Sequence, residues 1–303
     1  MPSENLTGRT IAGYHLLERV GEGGTAEVYR AQHAARGPCA FKVLRARLRG
    51  DPNAVTRFLR EAGYGARVKH PGVVHTYDYG EAEGQHYLAL EWAAGKSLAD
   101  MVQDAGRLEP SLVSSVVRQL GDALGAAHQV GIIHRDLKPE NIMYDEATQT
   151  AKLLDFGIAR DADLPSETRL TRTGYFVGTL QYVAPEALSG ELVDGRADIY
   201  SLATITYYML TGRHPFSARR PRELFHELLT GYPEPLGRAV PELTFPAALE
   251  AAVMRGLARD PAQRQATVTA FAAEVAASIK ALPPAEPSLL DRLKHIARKR
   301  KIV

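Results

Sequence analysis

Hydrophobic positions change their period about a third of the way along the chain. From Tyr14 to Val20 apolar and polar residues alternate with period two, up to a glycine cluster that begins at Gly21, and this predicts a strand. Val28 to Ala31 and Ala40 to Leu44 predict two more, with Gly37-Pro38 as the turn between them. Val55, Phe58, Leu59 and Ala62 form a helical stripe within 55–69, interrupted by Gly63 and Gly65 and stopped before His70-Pro71. Two strand-like runs follow, Val73 to Tyr79 and His86 to Glu91, joined by a polar hairpin from Gly80 to Gln85. Beyond Ala93 the period becomes helical. Leu112, Val116, Leu120, Leu124 and Ala127 predict one long amphipathic helix, and later helices are expected at 196–211, 221–230, 246–257 and 267–281. Strands first and helices afterwards predict an α+β fold in two lobes rather than alternating βαβ units.

At 303 residues, with 45% hydrophobic and 24% charged side chains, the chain can bury a sizeable core. Its 37 Lys and Arg stand against 35 Asp and Glu, a formal charge of +2. That balance argues against a globally basic nucleic-acid binder and leaves only a local patch open, so no nucleic acid is expected as partner. One cysteine, Cys39, excludes an internal disulfide and a cysteine-based zinc cluster, and suits a reducing compartment. The start, Met1-Pro2-Ser3-Glu4-Asn5, lacks the basic and apolar regions of a secretory leader. The longest apolar-looking run, Ile199 to Leu210, contains Ser201, Thr204 and Thr206 and is too short to span a bilayer. A cytoplasmic chain is expected, at most peripheral at the inner face of a membrane.

The densest run of chemically capable side chains is His134-Arg135-Asp136-Leu137-Lys138-Pro139-Glu140-Asn141. Asp155-Phe156-Gly157 and Ala184-Pro185-Glu186 follow it. Gly21-Glu22-Gly23-Gly24-Thr25-Ala26-Glu27-Val28 and Cys39-Ala40-Phe41-Lys42 precede it. Singly, each has a plainer reading: glycine clusters make turns, a lysine in an apolar strand snorkels at an edge, and Asp or Asn closes turns. In this order and spacing the set resembles the eukaryotic-like (Hanks-type) protein kinases, and among them the bacterial serine/threonine kinases. The resemblance runs from about Tyr14 to Leu282.

It implies a bilobal protein-kinase fold, with a small β-rich lobe at 14–92 and a larger helical lobe at 93–282. Residues 1–13 would then be an N-terminal tail, and 283–303 a Pro-rich linker and basic tail. It implies transfer of the ATP γ-phosphoryl group, with Mg²⁺, to Ser or Thr hydroxyls of proteins, including the chain itself. Such transfer asks the protein mainly for positioning and charge stabilisation. In the phosphate loop of Gly21, Glu22, Gly23 and Gly24, the residues Gly21 and Gly23 let backbone amides approach the phosphates, because glycine lacks a Cβ. Lys42 is implied as the clamp for the α- and β-phosphates, held by Glu61. Val20, Val28, Ala40, Leu90 and Met143 match positions that sandwich adenine, and Glu91 to Ala93 match the hinge whose backbone bonds the base. Asp136 matches the carboxylate that orients and deprotonates the substrate hydroxyl. Lys138 matches the cation that follows charge onto the γ-phosphate. Asn141 and Asp155 match the Mg²⁺ ligands. Lys138 with Thr179 is the Ser/Thr rather than Tyr pattern. His134 and Phe156 match a hydrophobic spine, Glu186 and Arg264 a buried ion pair, and Asp198 a brace for the catalytic loop. Thr171 and Thr173 match activating phosphorylation sites, which Arg57, Arg135 and Arg160 would surround. A second copy would be the partner in trans-autophosphorylation.

Three departures stand out. Ala26 replaces the third loop glycine, and Cys39 stands where valine is usual, an apolar exchange. Gly63 and Gly65 weaken the helix carrying Glu61 by roughly 1 kcal/mol each relative to Ala. They read either as tight packing or as a device that leaves Glu61 only marginally in place. A dead scaffold and a small-molecule kinase are competing readings. Intact Lys42, Glu61, Asp136, Asn141 and Asp155 argue against the first; Ala184-Pro185-Glu186 and the Gly178 to Tyr182 loop argue against the second. From Ser288 to Val303, Leu289, Leu290, Leu293 and Ile296 fall at helical spacing, beside six Lys or Arg between Arg292 and Lys301. This is either a solvated tail or a basic amphipathic helix for an anionic membrane surface or partner.

Overall fold

The computed structural model describes residues 5–155 and 180–280. Its first part is a six-stranded antiparallel sheet of order β1-β2-β3-β4-β6-β5. The strands are β1 (Thr10–Ile11), β2 (Tyr14–Glu22), β3 (Ala26–His33), β4 (Gly37–Leu44), β5 (Thr76–Ala82) and β6 (Gln85–Glu91). Period-two alternation gives the sheet two apolar faces. Cys39, Phe41 and Val43 point outward with Tyr14, Tyr29 and Tyr87, while Leu44 and Ala40 face inward with Leu88 and Leu90. Helix α1 (Pro52–Gly65) covers the inner face through Phe58 and Ala62. Asp51 caps it by accepting a hydrogen bond from Asn53 N at 2.9 Å, and Pro52 occupies the first turn, where its missing N–H costs nothing.

Several boundaries move. The turn after β3 lies at 34–36, and Gly37-Pro38, expected as that turn, pairs with His33 and Gln32 instead. The 80–85 hairpin tightens to Glu83-Gly84, whose φ values of 53° and 72° suit a two-residue turn. Helix α1 starts and stops earlier than expected. Residues 6–11, expected as tail, lie on the outer face: Leu6 and Ile11 are fully buried there, and Leu6 N donates to Tyr29 Oη at 3.3 Å.

The larger lobe is helical. Its elements are β7 (Lys96–Ser97), α2 (Leu98–Ala105), α3 (Pro110–Gln129), β8 (Ile142–Asp145), β9 (Thr150–Leu153), α4 (Pro185–Ser189), α5 (Arg196–Thr211), α6 (Pro221–Thr230), α7 (Leu236–Ala239), α8 (Ala247–Gly256) and α9 (Val268–Lys280). Helix α5 is buried on nearly every side, which explains its apolar-looking run. Helices α3 and α9 pack closely because Gly121 has no side chain; a Cβ there would sit 2.4 Å from Ala272 Cβ. The β7-β8-β9 sheet was not foreseen. The lobes share backbone bonds, since Val73 bridges Leu153 and Val74 N donates to Leu153 O at 2.9 Å. No helix among the described residues is long and apolar enough to cross a membrane.

Gly63 and Gly65 lie in the last turn of α1, past Glu61, so their effect on propensity is confined to that end. A Cβ on Gly65 would stand 3.2 Å from Oγ1 of Thr76, a residue only 8% exposed on β5. This favours the packing reading. Gly65→Leu is expected to destabilise the fold by about 1–3 kcal/mol through overpacking. A thermal unfolding midpoint equal to or above that of the parent chain would contradict it.

Candidate functional site

The 134–141 run enters a tight turn after α3. Arg135 takes φ of +62°, a left-handed conformation that costs about 1–3 kcal/mol for a non-glycine residue. Asp198, in the first turn of α5, compensates. Its fully buried carboxylate accepts from His134 N at 2.8 Å, Arg135 N at 3.0 Å and His128 Nε2 at 2.7 Å. Burial pushes the Asp198 carboxyl up, but hydrogen bonding to His128 and the neighbouring histidines more than offset this and hold it below the usual carboxylate range. His134 is itself buried, which pulls its ring below the usual range and keeps it neutral.

The turn presents Asp136, Lys138 and Asn141 together. Lys138 Nζ lies 3.4 Å from Asp136 Oδ2, and Asn141 Nδ2 donates to the Asp136 carbonyl at 3.1 Å. Asn141 O accepts from Leu154 N at 3.0 Å, which ties this loop to the residue before Asp155. Asp155 Oδ2 in turn lies 3.0 Å from Lys42 Nζ, whose other partner is Glu61 Oε1 at 2.9 Å. Burial alone would depress the Lys42 amine; Asp155 and Glu61 outweigh it and hold the amine above its ordinary range, as an ammonium. So three elements, β4, α1 and the chain leaving β9, meet at one cation.

Of the positions expected to sandwich adenine, Val28, Ala40 and Leu90 lie on neighbouring strands. Val28 pairs with Lys42 and Ala40 with Leu90, while Ala93 packs on the inner cluster beside Ala40 and Leu154. Met143 is half-buried on β8, opposite Lys152. Val20 is more open, 47% exposed on β2. Glu91 N donates to His75 O at 2.8 Å, whereas the Ala93 N–H meets no acceptor among the described residues. Gly21 to Gly24 form the exposed β2–β3 tip, where the Glu22 side chain turns to Arg45 and Arg19. Phe156, Arg160, Thr171, Thr173 and Thr179 lie outside the described residues.

These groups fit a nucleotide with Mg²⁺. Unpaired backbone N–H groups, a fixed ammonium and an apolar slot suit a nucleoside polyphosphate. Mg²⁺ needs only one or two protein oxygens besides phosphate and water, and Asn141 and Asp155 offer that number. Sequence reasoning missed His128 on Asp198, the Lys152–Glu91 ion pair between β9 and β6, and Arg45 on the glycine loop. All three are contacts between segments distant in sequence, with no local spacing to reveal them. The expected Glu186–Arg264 pair is present and bidentate, at 2.6 and 2.8 Å, with both side chains buried.

The sequence matches the protein kinase domain family over residues 14–270. It is 37% identical to serine/threonine-protein kinase pkn3 of Myxococcus xanthus over 282 residues, covering 91% of this chain and 52% of that one. It is 38% identical to serine/threonine-protein kinase PknB of Mycobacterium tuberculosis, covering 91% and 44%. The chain therefore spans about half the length of the curated relatives it matches. The crystal structure of the Mycobacterium tuberculosis PknI kinase domain is similar with a TM-score of 0.69 and 32% identity, covering 90% of this chain and 98% of that one.

Beside Tyr182 lies a partly buried histidine. His214 Nε2 is 3.0 Å from the Tyr182 hydroxyl, and its ring stacks on Tyr208 at 4.9 Å. Burial pushes His214 down to about 4 from 6.5. The unfolded chain thus gains this proton near pH 6.5 and the folded one only near 4, so folding stability is lost as pH falls between them. The loss should reach about 3 kcal/mol. Denaturant unfolding at pH 7 and pH 5 should show His214→Gln losing less stability than the parent chain; an equal loss in both would contradict the assignment.

Proposed function

Because the chain belongs to the protein kinase family, we propose that it transfers the γ-phosphoryl group of ATP to serine and threonine hydroxyls of proteins, its own included. The observation that carries this reading is the Lys42 ammonium held at 2.9 and 3.0 Å between Glu61 and Asp155. That pairing joins both lobes next to Asp136, Lys138 and Asn141.

ATP supplies the phosphoryl group, and Mg²⁺ supplies charge neutralisation on its phosphate oxygens. Lys42 binds the α- and β-phosphates, with Glu61 fixing its direction. Asp155 and Asn141 would hold the metal. Val20, Val28, Ala40, Leu90 and Met143 exclude water from the base, which Glu91 and Ala93 bond through the backbone. Gly21, Glu22, Gly23 and Gly24 cover the phosphates. Asp136 accepts the hydroxyl proton at a carboxylate oxygen, and Lys138 balances charge as it moves toward the γ-phosphate. Asp198 keeps Asp136 aimed by holding the backbone of the two preceding residues.

Regulation runs through Thr171 and Thr173. Arg135 supports this, because its half-buried guanidinium has an Nε with no partner among the described residues. A phosphate carries about −1.5 to −2 charge and three acceptor oxygens to meet it. A second copy delivers the phosphate, and the basic tail from Ser288 holds the kinase at an anionic membrane surface.

Incubation with Mg²⁺-ATP should phosphorylate the chain on Ser or Thr, and Lys42→Met or Asp155→Asn should reduce the rate by about 10²-fold or more. Undiminished incorporation in both variants would overturn the reading. Phosphosite mapping should find Thr171 and Thr173, and the double Ala variant should lose activity toward an added protein while its ATP affinity stays near that of the parent. Parental activity in that variant would remove regulation from this segment.

A further inference from the structure

The glycine tip between β2 and β3 is held from one side by the linker between β4 and α1. Arg45 N donates to Thr25 O at 2.9 Å and Arg45 Nη1 to Gly23 O at 3.0 Å. Arg47 Nη2 donates to Gly24 O. Three successive carbonyls of the tip are thus engaged by two arginines. The second Arg45 amine pairs with the Glu22 carboxylate, which Arg19 also meets at 3.3 Å.

The side from which Arg45 acts follows from the strand. Along β4, Cys39, Phe41 and Val43 face the outer cluster, while Ala40 and Leu44 face the inner one, the side on which Lys42 meets Glu61 and Asp155. Arg45 continues in extended backbone, with φ of −58° and ψ of 140°. Alternation therefore carries it to the outer side. In a planar trans peptide the carbonyl and the next N–H point in opposite directions. Drawing the Gly23 carbonyl outward aims the Gly24 N–H inward, and Arg47, by holding the Gly24 carbonyl, turns the Thr25 N–H away from the arginine that holds it. Neither N–H donates to a protein group among the described residues.

We infer that Arg45 and Arg47 are positioning residues that preset the Gly24 and Thr25 N–H groups to receive phosphate oxygens. The inference rests on reading this tip as the ATP phosphate loop. Two adjacent glycines have the most backbone freedom to lose, so an unbraced tip would have to be ordered by the nucleotide itself. The arginines order it beforehand, and the nucleotide gains affinity without any arginine touching it.

The test compares adenosine, which has no phosphate, with a non-hydrolysable ATP analogue and Mg²⁺, by calorimetry on the full chain. Arg45→Ala/Arg47→Ala should leave adenosine affinity within about twofold of the parent and weaken the analogue about tenfold. The loss should persist near 0.5 M salt, where charge acting at a distance is screened within about 5 Å. Arg47→Lys, which keeps one donor for one acceptor, should retain most of the parental affinity. Unchanged analogue binding, an equal loss for adenosine, or a loss that vanishes in salt would each overturn the positioning role. If the parent chain binds the analogue no better than adenosine, the phosphate reading of the tip falls, and the proposal with it.

Discussion

A lysine ammonium with only 12% of its side chain exposed cannot exist without carboxylates beside it, and Lys42 has two. Stripping a charge of water costs several kcal/mol, and removing one partner of such a pair costs about 3–5 kcal/mol. Glu61 comes from α1 and Asp155 from the chain leaving β9, so the cation is satisfied only when the sheet, its helix and the other lobe are in register together. A shift of α1 by one turn would carry Glu61 about 5.4 Å away and leave the charge underpaired. Local electrostatics thus monitors global assembly.

The larger lobe solves the opposite problem, a buried anion. Asp198 is satisfied by two backbone N–H groups and an imidazole, and the left-handed Arg135 is the local strain that it stabilises. A second fixed point lies farther along, where Arg264 takes both oxygens of Glu186 and also donates to the carbonyls of Ala258, Arg196 and Arg259. Its guanidinium stands 5.1 Å over the Tyr200 ring. With every edge of that fork engaged, α4 and the chain between α8 and α9 are tied to the start of α5. Asp136, Lys138 and Asn141 are thereby carried on a loop whose backbone has little freedom left.

Much of this was legible in the sequence, for physical reasons that differ by element. Helices α5 and α6 match the expected limits to the residue, because long buried or amphipathic runs leave a strong periodic trace. The β7-β8-β9 sheet left none, since strands of two to four residues are fixed by nonlocal pairing. Gly37-Pro38 misled because turn-forming residues also tolerate the end of a strand, here opposite His33 and Gln32. Lys42, Asp136 and Asp155 were identified through a resemblance carried by several motifs at once. Arg45, Arg47, His128 and Lys152 were not, because a side chain reaching a distant partner has no spacing rule. Local sequence leaves the role of Gly65 open because its neighbour Thr76 comes from a distant strand.

The bridge between Val73 and Leu153 has a mechanical consequence. Bonds shared across it, Val74 N to Leu153 O at 2.9 Å and Leu153 N to Gly72 O at 2.9 Å, act as a pivot for any rotation of the small lobe that preserves them. Displacement then grows with distance from the pivot. Asp155, two residues beyond Leu153, hardly moves. The β2–β3 tip, three to four strand spacings from β5, lies about 14–19 Å out and sweeps a long arc. A few degrees of lobe rotation would therefore shift the glycine tip by about 1 Å while its carboxylate counterpart stays in place, like a jaw moving on a stationary anvil.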